Sequence, residues 1–202
     1  AQANPLAIFT GFAHHPLIWR LAIVVFLSNF AFQTLIANWN LFLQYQMGWG
    51  IKEIGLMLML VGLLAAAAQG GLMAPLSRWL GDKRLLMLGL FLQAAEMFIT
   101  GYATTFNVLL LATIVGALAI VVHPTYSSIA SQTVGANEQG AVQGAVIGME
   151  SVTVVIAPLV SAWVFDYFTH NGWQSGGAVM YFGGVMALLA MLMLVWVKLP
   201  VR

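Results

Sequence analysis

The sequence predicts an all-α integral membrane protein with six transmembrane helices. Of its 202 residues, 61% are hydrophobic and only 6% are charged, and the mean hydropathy is +0.93. A water-soluble domain carries about a quarter charged residues, so this chain cannot cover a surface that faces water. The apolar residues form six segments, each near the ~20 residues that cross the hydrocarbon core. Membrane strands would be shorter and would alternate apolar with polar side chains.

The six apolar segments are separated by residues that are typical of turns. The predicted spans are residues 17–44, 54–73, 85–102, 108–131, 141–167 and 177–196. The breaks between them contain Gly48-Trp49-Gly50, Leu80-Gly81-Asp82, Gly135-Ala136-Asn137 and Asn171-Gly172. The predicted organisation is therefore a cytoplasmic lead-in segment at 1–16, a six-helix bundle at 17–197 and a cytoplasmic tail at 198–202.

The basic residues predict the orientation of the bundle. Only Lys52, beside Glu53, falls on the outer side of a six-span chain. The other basic residues all fall on the opposite side, and they are Arg20, Arg78, Lys83, Arg84, Lys198 and Arg202. Because Lys and Arg favour cytoplasmic loops, both termini and the loop between the second and third spans are expected in the cytoplasm.

The composition also argues against several classes of function. The chain has no cysteine, which excludes disulfides and cysteine-based metal sites. The net charge of +1, without a run of Lys or Arg, gives no indication of a nucleic-acid partner. The sequence contains no nucleophile elbow, phosphate-binding loop or dinucleotide fingerprint. His14 and His15 are not spaced as a metal site. We therefore expect no enzymatic activity, cofactor or metal.

A stripe of amides runs along the first predicted span. Asn29, Gln33, Asn40 and Gln44 lie within about 60° of one another on a helix. Because polar groups are costly in lipid, a stripe along a whole span favours a face toward a water-filled cavity. Hydrogen bonding between helices is the alternative. Asn38 points away from this stripe, and the pattern offers no reason for it.

Two carboxylates lie at membrane depth. Glu96 is in the middle of the third span, close to Gln93, and Glu150 shares a stripe with Gln143 and Ser161 on the fifth. A carboxylate at such depth is protonated, paired or in contact with water. Both are candidates for proton coupling, with Glu150 slightly favoured. Each could instead be a neutral acid bonded within the bundle. We expect neither to have a basic partner in this chain.

The fourth and fifth spans carry two further features. His123-Pro124 interrupts the fourth span, because proline cannot donate a helical hydrogen bond. His123 is interpreted either as part of the cavity or as a structural residue. The fifth span begins with a row of small residues that permits close helix packing: Gly140, Gly144 and Gly148.

Several loops resemble those of the major facilitator superfamily. Residues 74–84 resemble its short cytoplasmic signature loop, in the version found in the second half of tetracycline/proton antiporters. The residues of this loop that carry the comparison are Arg78, Gly81, Asp82, Lys83 and Arg84. Asn4-Pro5-Leu6-Ala7 resembles the segment just before the family's seventh helix. Residues 139–144 resemble the start of its eleventh helix, and Asn171-Gly172-Trp173 resembles the loop before its twelfth. The loop departs from the family at Arg78 and Trp79, where an acidic and then a basic residue are usual. The family's ninth-helix acid aligns with Gln93, and Glu96 lies nearly one turn later.

The resemblance implies that the chain is the carboxy-terminal six-helix half of such a transporter. The substrate site would then form between two bundles near the midplane. The first and fourth helices of this half would line it, through Asn29, Gln33, Asn40 and His123. The second and fifth helices would face the other half.

The expected function is half of a proton-coupled efflux transporter for a drug-like organic solute, in a bacterial inner membrane. The expected partners are the lipid bilayer and a second six-helix half. That half would be a separate chain, a missing part of this chain or a second copy. The alternative is a transporter-derived scaffold or assembly subunit, bound to other membrane subunits and without transport activity.

Overall fold

The structure, a computed structural model, describes residues 16–71, 73–132, 135, 139–171 and 175–197. The described residues form seven α-helices, and the structure assigns no strand among them. They are α1 (Pro16–Met47), α2 (Ile51–Gly71), α3 (Met73–Tyr102), α4 (Phe106–Ala119), α5 (Val122–Gln132), α6 (Gln139–His170) and α7 (Ala178–Val195).

Six stretches of these helices are long and apolar enough to cross a membrane. They are Trp19–Met47, Ile51–Gly71, Trp79–Tyr102, Phe106–Gln132, Val142–His170 and Ala178–Val195. Their number and order confirm the six predicted spans. His14, His15, most of the lead-in segment and the tail lie outside the described residues.

The fourth span consists of two helices, α4 and α5. Helix α4 ends at Ala119 and α5 begins at Val122, so that Pro124 is the third residue of the new helix. Proline is tolerated in a first turn, because the N–H groups there have no partner within the helix. The predicted interruption at His123-Pro124 is therefore confirmed, and it lies just before these residues.

Two glycines with positive φ mark the ends of helical segments. Gly48 (φ 65°) follows α1, and its N–H donates to the Gln44 carbonyl at 3.1 Å. The Gly50 N–H then donates to the Glu53 carboxylate at 3.0 Å, which caps α2. Gly81 (φ 69°, ψ 160°) makes a kink within α3. Other residues avoid this conformation, which explains glycine at both predicted breaks.

Helix α7 packs along both α1 and α3. Helix α6 packs against α1, and α4 packs against α3. Two apolar clusters fill the interior. One includes Val24, Leu90 and Leu194, and the other includes Met97 and Met180. Helix α7 therefore joins α1 to α3.

Basic side chains bind the carboxyl end of α7. Arg20 donates to the Trp196 carbonyl at 3.3 Å, and Lys83 donates to the Val197 carbonyl at 2.6 Å. Cations are favourable at the carboxyl end of a helix, where carbonyls lack partners. The structure thus places Arg20 and Lys83 at one end of the bundle, as the six-span topology requires.

Of the other residues of the signature loop, Asp82 has a side-chain hydrogen-bond partner on another helix. Gln132 donates to the Asp82 carboxylate at 3.1 Å, which joins the loop to the end of α5. Arg84 is exposed, and the side chain of Arg78 lies outside the described part of the chain.

Helices α2 and α6 are the least covered of the spanning helices. The buried share of their most apolar stretches is 17% and 22%, against 33–50% for the other four spans. A Cβ added at Gly140 or Gly144 would meet no atom within 4 Å, and Gly148 is partly exposed. The described chain therefore places no close neighbour against Gly140 or Gly144. The packing role predicted for this row stays a prediction.

Candidate solute cavity

A cavity of about 720 Å³ lies between the helices, and α1 to α6 all contribute to its walls. Most of its lining is apolar. The polar and ionisable residues on its wall include Asn29, Gln33, Asn40, Glu96, His123 and Glu150. The structure thus brings together the residues that the sequence indicated for the cavity or for proton coupling, except Gln44 of the amide stripe. Their roles in binding and coupling stay predictions.

The amide stripe of α1 divides into two kinds of residue. Asn29 is 9% exposed, and its amide donates to the Glu150 backbone carbonyl at 3.3 Å and to the Thr153 hydroxyl. It therefore joins α1 to α6 at the cavity wall. The side-chain amides of Gln33 and Asn40 make no hydrogen bond to another described residue. They are therefore available to water or a solute. Gln44 is exposed and does not line the cavity.

Asn38, for which the sequence pattern offered no reason, is a buried tie between helices. Its side chain is 1% exposed, and its amide donates to the Thr34 carbonyl at 2.9 Å and to the Ser161 hydroxyl at 2.7 Å. Helix α1 thus carries polar groups on two faces, one toward the cavity and one against α6.

Glu150 is the centre of a cluster with His123 and Tyr126. Its Oε1 lies 2.9 Å from His123 Nε2 and accepts a hydrogen bond from the Tyr126 hydroxyl. The Glu150 side chain is 21% exposed and that of His123 is 67% exposed. The prediction that Glu150 has no basic partner was wrong. The two residues lie on separate helices, and they meet only because α5 packs against α6.

Tyr126 is a residue that the sequence analysis missed. It is 2% exposed, and its ring centroid lies 5.1 Å from that of His123. Its spacing was a usable signal, because it comes three residues after His123 and therefore lies on nearly the same helix face. A buried tyrosine hydroxyl generally requires a partner, and Glu150 provides it.

Glu96 contacts the cavity in a different way. Its carboxylate lies against Gly116 of α4, where an added Cβ would overlap it. Within the described part of the chain, no ion pair or hydrogen bond is assigned to this carboxylate. Glu96 is thus an acid on the cavity wall without a fixed counter-charge.

Two glutamines hold the cavity walls in place. Gln93 is 6% exposed and exchanges two hydrogen bonds with Ser28, each of 3.0 Å, so it joins α3 to α1. Gln143 accepts from the Ser127 hydroxyl at 3.0 Å and donates to the Ser127 carbonyl at 3.1 Å, which joins α6 to α5. Gln93 therefore joins two helices at the cavity wall, and Glu96, three residues later, lines the same cavity.

The described residues contain no group of three or more His, Cys, Asp or Glu that could hold a metal ion. Asp166 and His170 form an exposed pair near the end of α6, with His170 Nδ1 3.2 Å from Asp166 Oδ1. This pair is separate from the cavity lining.

Comparison with known proteins gives consistent results. The family model described as Major Facilitator Superfamily matches residues 3–202. "Hippocampus abundant transcript-like protein 1" of Bos taurus is 28% identical over 83% of this chain and 33% of its own length. "Tetracycline resistance protein, class C" of Escherichia coli is 26% identical over 87% of this chain and 46% of its own length.

A solved structure shares the fold. The crystal structure of the human organic anion transporter MFSD10 (TETRAN) superposes with a TM-score of 0.79 at 23% identity. The match covers 95% of this chain and 46% of that one. The chain spans about a third to a half of the length of the relatives it matches. The predicted family resemblance is confirmed, and the chain belongs to the Major Facilitator Superfamily.

Proposed function

We propose that this chain forms one half of a proton-coupled efflux transporter for a drug-like organic solute. The observation that carries the proposal is the cavity of about 720 Å³, whose wall combines two carboxylates, a histidine and unpaired amides with a mostly apolar lining. Small-molecule sites generally have this character, with a few polar groups set in an apolar surface. Relatives of this chain include tetracycline resistance proteins, which supports a drug-like solute.

The cavity favours transport over a purely structural role. Ionisable groups at membrane depth are costly, and where they occur they usually line substrate or proton pathways. A scaffold has no need for the Glu96 carboxylate on an open wall. The Glu150–His123 pair adds two groups that can exchange a proton with each other and with water in the cavity. Glu150 is therefore the favoured proton carrier.

A second six-helix half is part of the proposal. The chain covers only a third to a half of its relatives, and α2 and α6 have the smallest buried share of the six spans. We expect these two helices to face the second half, which would supply the opposite wall of the cavity. It would be a separate chain, another part of this chain or a second copy.

The first test concerns orientation. Because the chain has no native cysteine, single cysteines report their own position without background. Cysteines at Ser77 and Val201 are expected to react with an impermeant maleimide only from the cytoplasm, and one at Ser175 only from outside. Labelling of Ser77 and Val201 from opposite sides would contradict the even number of spans.

The second test concerns transport itself. The native assembly, purified through this chain from its own membrane, is reconstituted in proteoliposomes and supplied with a pH gradient. We expect solute flux that follows the gradient and stops when a protonophore removes it. The mass and subunit list of the same preparation are recorded. Two results together would favour a scaffold role without transport activity. These are the presence of unrelated membrane subunits and the absence of gradient-driven flux for every solute in a broad panel.

A further inference from the structure

The described residues that line the cavity are unbalanced in charge. They include two glutamates and one histidine but neither Lys nor Arg. The basic side chains of Arg20 and Lys83 are bound to backbone carbonyls at the end of α7. The described cavity lining therefore presents acidic groups to a solute. It contains no permanently positive side chain that would offset their charge.

The two acids are in different situations. Glu150 already has an ionisable partner, His123, and also accepts a hydrogen bond from Tyr126. A proton moving between Glu150 and His123 leaves the charge of that pair unchanged. Glu96 has no such partner among the described residues. An ionised carboxylate removed from bulk water is unfavourable until a cation or hydrogen-bond donor reaches it.

The position of Glu96 makes it accessible to such a cation. Its carboxylate occupies the space left by the missing side chain of Gly116, and both residues line the cavity. Phe32 and Trp39 of α1 line the same cavity. Aromatic faces attract cations, and apolar walls favour the hydrocarbon part of a lipophilic ion. The lining is therefore suited to a positively charged group carried on an apolar or aromatic body.

From this geometry we infer that the solute is a lipophilic organic cation and that Glu96, seated on Gly116, binds its positive charge. This inference rests on the proposed function and assigns the two acids separate tasks, with solute binding at Glu96 and proton exchange at Glu150 and His123. The human organic anion transporter MFSD10 shares the fold with this chain. The sign of the solute charge depends on the side chains in the cavity and not on the fold.

The test compares two probes of similar shape and opposite charge, tetraphenylphosphonium and tetraphenylborate. Binding of each is measured by equilibrium dialysis to the native assembly in detergent, with no gradient present. We expect the phosphonium to bind at least about tenfold more tightly than the borate, a difference of about 1.4 kcal/mol. Equal affinity, or tighter binding of the borate, would overturn the inference.

Two variants locate the charge within the cavity. Glu96→Gln is expected to weaken phosphonium binding at least about tenfold, because the shape is kept and the charge is lost. Gly116→Ala keeps the Glu96 charge, but the added methyl group displaces the carboxylate from its position against residue 116. Weaker phosphonium binding is therefore also expected. Glu53→Gln is the matched control, since it removes a carboxylate at the start of α2 that does not line the cavity. Unchanged phosphonium binding in Glu96→Gln, or equal losses in Glu96→Gln and Glu53→Gln, would overturn the assignment.

These measurements separate the inference from the proposed function. Binding in detergent does not require coupling, so cation-selective binding without gradient-driven flux would contradict the transport proposal alone. Gradient-driven flux with binding that ignores charge would contradict the present inference alone. If Glu96→Gln does not fold, the comparison of the two probes on the unmodified assembly and on Gly116→Ala still decides the outcome.

Discussion

Glu150→Gln is expected to abolish proton-driven flux while leaving the cavity intact. Glutamine has nearly the same shape as glutamate, and its amide oxygen can still accept the hydrogen bond from Tyr126. It cannot titrate, however, so the proton exchange with His123 is lost. The solute flux of the variant under a pH gradient should therefore fall to the level measured without a gradient. The measurement is solute flux in proteoliposomes under an imposed pH gradient.

Solute exchange provides the control for this variant. With equal solute and equal pH on both sides, exchange of labelled for unlabelled solute requires binding and the conformational change but no net proton movement. Glu150→Gln should retain exchange, whereas Glu96→Gln should impair it through weaker binding. His123→Gln should reduce coupling if the pair acts as a unit. If Glu150→Gln, Glu96→Gln and the double variant all still couple flux to the gradient, neither acid carries the proton.

Gly177→Leu is expected to prevent the chain from folding. Gly177 lies at the start of α7, and an added Cβ would overlap the backbone carbonyl of Gly101 at the end of α3. Overpacking typically costs about 1–3 kcal/mol, and more where, as here, the obstacle is backbone that cannot rotate away. Because α7 packs along both α1 and α3, the loss should spread to these two helices. The measurement is the yield of monodisperse protein and its melting temperature in detergent.

Gly144→Leu is the matched control and tests the opposite surface. Gly144 has no atom within 4 Å of an added Cβ, so the leucine should be accommodated within this chain. We expect this variant to fold with a nearly unchanged melting temperature but to lose its association with the second half. Normal yield together with a normal mass of the assembly would mean that the glycine row faces lipid. A normal melting temperature for Gly177→Leu would contradict the close crossing of α3 and α7.

The positions of the six spans and of their breaks could be predicted from the sequence, because they depend on local properties. Hydrophobic length decides whether a segment can cross the bilayer, and it placed the spans close to their observed bounds. Gly48, Gly81 and Pro124 interrupt helices through their own backbone chemistry, which needs no information from distant residues. The stripe containing Gln33 and Asn40 was visible for the same reason, since helical periodicity shows which residues share a face.

The partners of the polar residues were decided only by the tertiary structure. His123 and Glu150 are 27 positions apart on separate helices, and periodicity gives the face of each helix but not the helix that it meets. The same applies to Asn38, whose partner Ser161 lies 123 residues away. The packing of α5 against α6 brings Glu150 to His123. The packing of α1 against α6 gives Asn29 its hydrogen-bond partners while it still lines the cavity. Glu96 has no counter-charge among the described residues. Such neighbours depend on the packing of all the helices together, which no single segment of the sequence encodes.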